Sequence, residues 1–142
     1  MNAKNKLIVS NFIEKIWNKH RFDQIDDFIS GGFTDYSLPP NLPGNKEGMI
    51  RWIMQVGDSF KHKTTIESIV AEKDKVMLKI RMDLIHIGIW RNIKPTDKQI
   101  STVGYRYYKL VNGKINAHWC LLDGNSIENQ LQASTHGCKI QQ

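Results

Sequence analysis

The chain is poor in the residues that staple small proteins or hold metals. Only two cysteines occur in its 142 residues. Cys120 and Cys138 could close one bridge at most, so a disulfide framework is excluded and both are expected as free thiols. His118 stands near Cys120, but no second pair follows at a zinc spacing, and no metal is expected. Long apolar runs are missing as well. The richest stretch, Met82 to Trp90, carries Asp83 and His86 and is too short to span a bilayer. Residues 1–6 lead into an amphipathic segment interrupted by Asn11 and Glu14, unlike the apolar region of a signal peptide. A cytoplasmic protein without membrane association is therefore expected. There is no internal repeat and no low-complexity segment.

What is present is ordinary globular composition, with 40% apolar and 24% charged residues. That length and apolar share fit a single domain, expected over residues 1–132, followed by a flexible C-terminal tail over 133–142. The net charge of +6 raises nucleic acid as a partner. Its distribution argues otherwise, because cations alternate with anions in Glu72-Lys73-Asp74-Lys75 and Asp97-Lys98, the pattern of a solvated surface.

Val9, Phe12, Ile13, Ile16 and Trp17 recur at the spacing of one helical face, which predicts a first helix. A short second helix is predicted from Asp23, as N-cap, to Ile29, closed by Gly31-Gly32. Residues 33–44 hold Pro39, Pro40 and Pro43 and are predicted as loop. Asn45 then caps a third helix whose Met49, Trp52, Ile53, Val56 and Phe60 share a face.

From Lys63 the period changes from 3.6 to 2, and four strands are predicted at about 63–72, 75–90, 99–111 and 114–123. The dipeptide Asn112-Gly113 marks a type I′ hairpin. Helices first and an antiparallel meander second is an α+β order, with the helices on the concave face of a curved sheet around one apolar pocket. Alternation puts Val76, Leu78, Ile80, Met82, Leu84, His86, Gly88 and Trp90 on the inner face of the long strand. Ile115, Ala117, Trp119 and Leu121 read as a packing face of the last strand, and Asn116, His118, Cys120 and Leu122 as a pocket wall. Gly104, Arg106 and Tyr108 share one side of the third strand. Ile85, Ile87 and Ile89, together with the Trp119 face, call for cover by a second copy of the chain, so a homodimer is expected.

The series Gly113-Lys114-Ile115, His118-Trp119, Asp123 and Gln130-Leu131 resembles the end of the SnoaL-like polyketide cyclases and related ester cyclases. His86-Ile87-Gly88, followed by Pro95-Thr96-Asp97, is similar to that family's histidine–glycine strand end and proline–threonine loop. Trp17-Asn18 is similar to the aromatic–asparagine end of its first helix. The resemblance covers roughly residues 6–132. It implies a nuclear transport factor 2-like α+β barrel, a cone of antiparallel sheet plugged by helices. It also implies an intramolecular aldol step run by one aspartate on the last strand. That aspartate falls at Cys120 here, a pocket histidine of the third strand falls at Arg106, and an asparagine after the second helix falls at Asp35. Asp123 is expected to cap the turn into a terminal helix.

The catalytic candidates are accordingly His86, His118, Asp35 and Arg106. His86 ends an apolar face, and imidazole is the side chain suited to carrying protons at physiological pH, so it reads either as a hydrogen-bonded strand-end histidine or as a proton carrier. His118 admits the same two readings. An inward Arg106 needs an anion, from Asp35 or from a ligand. Cys120 reads as a small buried hydrophobe or as a nucleophile, although His118, two residues away along a strand, would be about 7 Å distant. Trp17, Trp52, Phe60, Trp90 and Tyr108 are either core or the walls of a slot for a small hydrophobic molecule. The expected activity is cofactor-free acid–base chemistry of cyclase, isomerase or hydrolase type on a hydrophobic or ester-bearing ligand. The competing expectation is a non-catalytic binding protein or a dimeric interaction protein that lacks the cyclase acid.

Overall fold

The structure, a computed structural model, describes residues 2–133. The expected tail therefore lies outside the described residues apart from Ala133, as does the Cys138 thiol. Helix α1, Asn2–Phe12, runs on as a π-helical segment, Ile13–Asn18. Val9, Phe12, Ile13, Ile16 and Trp17 are all buried, as their spacing predicts. The widened turn ends at Asn18, whose side-chain amide imitates a neighbouring strand. Its Nδ2 donates to the Thr64 carbonyl at 3.0 Å and its Oδ1 accepts from the Thr64 N–H at 2.8 Å. Among the described residues no helix is long and apolar enough to cross a membrane.

The predicted second helix is corrected. Phe22–Asp27 form a 3₁₀ turn with no side-chain cap, and the chain then enters a strand, β1, Ile29–Asp35. The Gly31-Gly32 pair closes no helix. It sits where the pairing of β1 slips, between Ile29↔Ile115 and Thr34↔Ala117. Glycine suits such a bulge, and the bulge destroys the alternation by which a strand is recognised. Only after residue 35 does the proline-rich loop begin.

Helix α2, Lys46–Ser59, starts at Asn45, whose side chain accepts from the Gly48 N–H at 3.0 Å. Four further strands follow: β2 Phe60–Glu72, β3 Lys75–His86, β4 Gln99–Val111 and β5 Lys114–Leu122. Asn112 and Gly113 both hold positive φ, 50° and 77°, as a type I′ turn requires. The sheet is ordered β1-β5-β4-β3-β2. It is curved and open, and its pairings are antiparallel except for the parallel β1–β5 edge. Helix α3, Gly124–Gln132, is capped by Asp123, which accepts from Ser126 N–H at 2.9 Å.

Two boundaries differ from the alternation pattern in ways that matter for the site. The long strand ends at His86, because the Ile87 and Gly88 N–H groups both turn to the Ser59 carbonyl. Ile87 and Ile89 consequently leave the sheet and are exposed. In β5 the pairing slips between Lys109↔Ala117 and Leu110↔Ile115, leaving Asn116 as the extra residue. One extra residue reverses every later side chain. Ile115 is therefore core, His118 turns inward, and Trp119 and Leu121 face out, with Leu121 78% exposed. The predicted Ile115–Leu121 packing face does not exist.

Candidate functional site

The inner faces of β3, β4 and β5, the end of the first helix, α2 and α3 enclose a cavity of about 480 Å³. That volume suits a small organic molecule. Its apolar wall includes Trp17, Trp52, Phe60 and Trp90, and its polar wall holds Asp35, Arg106, His118 and Cys120. Arg106 and Cys120 are directly paired across β4 and β5, as are Tyr108 and His118.

Asp35, His118 and Arg106 form one buried chain. His118 Nδ1 lies 3.0 Å from Asp35 Oδ2, and His118 Nε2 lies 3.3 Å from Arg106 Nη1. A guanidinium nitrogen can only donate, so Nε2 accepts and the ring proton resides on Nδ1, donated to Asp35. Burial, aided by the positive charge of Arg106 and opposed by Asp35, lowers the proton affinity of His118 and keeps this tautomer neutral. Tyr108 stacks on the imidazole, centroids 4.7 Å apart.

Asp35 ends β1, and local bonds hold it there. Its N–H donates to the Gly44 carbonyl at 3.1 Å, and its Oδ1 accepts from the Ser37 N–H at 2.9 Å. Ser37 Oγ in turn accepts from the Cys120 N–H at 2.6 Å, tying the loop to β5. The Arg106 guanidinium carbon lies over the Trp17 indole, 4.2 Å from the ring centroid. Its Nε and the Tyr108 hydroxyl are buried without hydrogen-bond partners. Burial raises the Tyr108 pKa, so the phenol stays protonated.

Of the expected residues, Asp35, Arg106, His118, Cys120, Trp17, Trp52, Phe60 and Trp90 come together on this wall. His86 does not. It is fully buried, and its Nδ1 accepts from the Thr96 N–H at 3.2 Å, pinning the loop that follows β3. It has the hydrogen bond of the strand-end reading, and it is not among the residues that line the cavity. Tyr108 lies against His118 and is not among the residues that line the cavity. Cys120 is a free, half-buried thiol on the wall.

Several residues of the site carried no sequence signal. Ser37 reaches the wall through a loop, and Arg91 does so from a turn in which it and Asn92 have positive φ. Arg91 stacks on Trp90 and donates to Glu128 of α3 at 2.9 Å, closing the cavity mouth. Behind Trp17, His20 and His62 share a hydrogen bond between their Nε2 atoms at 3.1 Å. Burial, with the positive potential of His20 and Arg106, lowers the His62 pKa to about 4, so His62 is uncharged at neutral pH. Among the described residues, no group of three or more His, Cys, Asp or Glu side chains is arranged to hold a metal.

A family model described as SnoaL-like polyketide cyclase matches residues 7–131. Among solved structures, AclR from Streptomyces galilaeus, described as a candidate hydroxylase, superposes with a TM-score of 0.80 at 22% identity, covering 92% of this chain and 97% of its own. TsrD from Streptomyces laurentii gives 0.82 at 18% identity, covering 94% and 98%. IdmH from Streptomyces antibioticus, described as a candidate polyketide cyclase, gives 0.82 at 17% identity, covering 91% and 99%. At these identities the likeness concerns the fold. No curated protein matches the sequence.

Proposed function

Because the chain belongs to the SnoaL-like polyketide cyclase family, we propose that its cavity binds a hydrophobic or ester-bearing small molecule and performs cofactor-independent proton transfer on it. The observation that carries this reading is an imidazole on the cavity wall bonded at both nitrogens, to a buried carboxylate and to a buried guanidinium. Asp35 fixes the ring and its tautomer and would stabilise the imidazolium formed when Nε2 takes a proton. Arg106, on the same wall, offers positive charge to an oxygen of the ligand. The acid expected at Cys120 is absent, and the Asp35–His118 pair takes its place from β1 and from β5, the strand of Cys120 itself.

The test is hydrogen exchange at carbon acidified by a carbonyl group. A panel of aromatic ketones and arylacetic esters in D₂O, followed by proton NMR, should include members whose α-protons exchange faster with the protein. His118→Gln should slow that exchange by about 100-fold. Thermal stabilisation by panel members without any exchange would favour the non-catalytic binding protein. Neither effect would remove the cavity from consideration.

We further propose that the chain pairs with a second copy through the outer face of β4 and β5. The outer face of β2 and β3 is ionic, with Glu67 bonded to Lys79 and Arg81 and Arg81 to Asp83. Next to it, Val103, Tyr105, Tyr107, Trp119, Leu121 and Tyr36 form an apolar surface, with Tyr36 stacked on Trp119 at 4.7 Å. Six such side chains at about half exposure offer about 500 Å², most of the ~800 Å² a stable interface uses per partner. Light scattering at micromolar concentration should return a dimer, and Leu121→Lys a monomer; a monomeric parent protein refutes the pairing.

A further inference from the structure

Arg106 is a buried cation whose direct contacts are all uncharged. It is 3% exposed, its Nη1 donates to a neutral imidazole, its Cζ lies over the Trp17 ring and its Nε has no partner. Among the described residues no carboxylate forms an ion pair with it. Asp35 is one imidazole away, with its oxygens engaged by His118 and the Ser37 N–H. The other cation of the cavity, Arg91, differs, because Glu128 and the Asn125 side chain bind it from the α3 side. A guanidinium removed from water costs several kcal/mol unless an anion meets it. Among the described residues nothing on this wall supplies the missing anion, and Arg106 faces the cavity, from which a ligand can supply it.

We infer that the cavity selects a flat apolar molecule bearing a carboxylate, which Arg106 receives while Trp17, Trp52, Phe60 and Trp90 take the apolar body. This rests on the reading of the cavity as a small-molecule site and names the ligand's charge. Planar two-point recognition is the way guanidinium groups bind carboxylates. There is a consequence for the chemistry. In the unliganded protein Arg106 Nη1 occupies the His118 Nε2 lone pair, so the base is masked. A carboxylate that draws the guanidinium N–H to itself frees Nε2 beside the ligand, and the anion that is recognised also releases the base.

The test uses two probes of one shape, 2-naphthoate and 2-naphthamide, with quenching of the cavity tryptophans as the readout. Naphthoate should bind at least about tenfold more tightly, a preference that shrinks as salt rises. Arg106→Gln should bring the two probes to parity, and Arg106→Lys should restore part of the difference. Equal binding of both probes by the parent protein, which needs no variant to fold, overturns the inference and leaves the cavity a small-molecule site. Binding of neither overturns both. A preference abolished by Arg91→Gln but not by Arg106→Gln would place the anion at the mouth and overturn the assignment to Arg106.

Discussion

Alanine at position 35 should cost about 3 kcal/mol of folding free energy or more, measured as a fall in urea midpoint at unchanged slope. Asp35 is 5% exposed and is the one carboxylate among the described residues of the cavity wall. Its loss removes the acceptor of the His118 Nδ1 proton and of the Ser37 N–H, two bonds worth roughly 1–3 kcal/mol each when the donors remain buried. The larger consequence is electrostatic. Asp35 is not paired with Arg106 but stands one imidazole away, and losing its charge leaves the buried guanidinium with nothing to offset its removal from water, a cost of several kcal/mol. Asp35→Asn separates the two effects, because the amide oxygen can still accept from His118 while the charge is gone. An intermediate loss is expected for it. A cost below about 1 kcal/mol for the alanine variant would mean that water in the cavity already compensates Arg106, which would also weaken the case for an anionic ligand.

Gly48→Ala should lower the melting temperature by about 10 °C. By helix propensity alone the change would help, by about 1 kcal/mol. Geometry reverses the sign. A Cβ at residue 48 would lie 1.7 Å from the Pro43 carbonyl oxygen and 3.2 Å from Leu38 Cδ1. The first obstacle is backbone, so no side-chain rotation relieves it, and the loop from Tyr36 to Asn45 must move. Overpacking of this kind costs about 3 kcal/mol, which for a chain of this size corresponds to the shift stated. The same loop presents Ser37 and Leu38 to the cavity and holds Asp35 through the Gly44 carbonyl. Ligand-induced stabilisation should therefore weaken together with stability. An unchanged melting temperature would show that the loop accommodates a methyl group and does not brace the site.

The elements that sequence reasoning located correctly are those whose signals are local. Asn45 caps α2 because its side chain reaches the Gly48 N–H, three residues on. Asn112-Gly113 turns the chain because both residues tolerate positive φ. The face of Val9, Phe12, Ile13, Ile16 and Trp17 is buried even though its second half is wound as a π-helix, since the apolar stripe persists through the wider turn. The failures are also physical. Ile25, Phe28 and Ile29 mimic a helical face, yet Ile29 belongs to β1, a strand satisfied by a partner far along the chain. Asn116 carries no mark of a bulge in its own identity; it is the extra residue because Ser30 Oγ donates to it at 2.6 Å and the register of β4 demands it.

Residue identities alone determined the α+β order, the helix face that fills the sheet, the apolar inner row of β3 and the presence of Arg106, His118 and Asp35 as polar groups in search of partners. Patterns of this kind are set by periodicity and by side-chain chemistry within a few residues. Only the tertiary structure decided which of those groups meet. Asp35 and His118 are 83 positions apart, and they touch because a parallel edge strand and a one-residue bulge bring the end of β1 beside an inward-turned imidazole. His86 is enclosed by partners distant in the sequence or brought back by a loop, the Phe60 ring and the Thr96 N–H. Pairing register is a property of two segments together, and so no single stretch of sequence contains it.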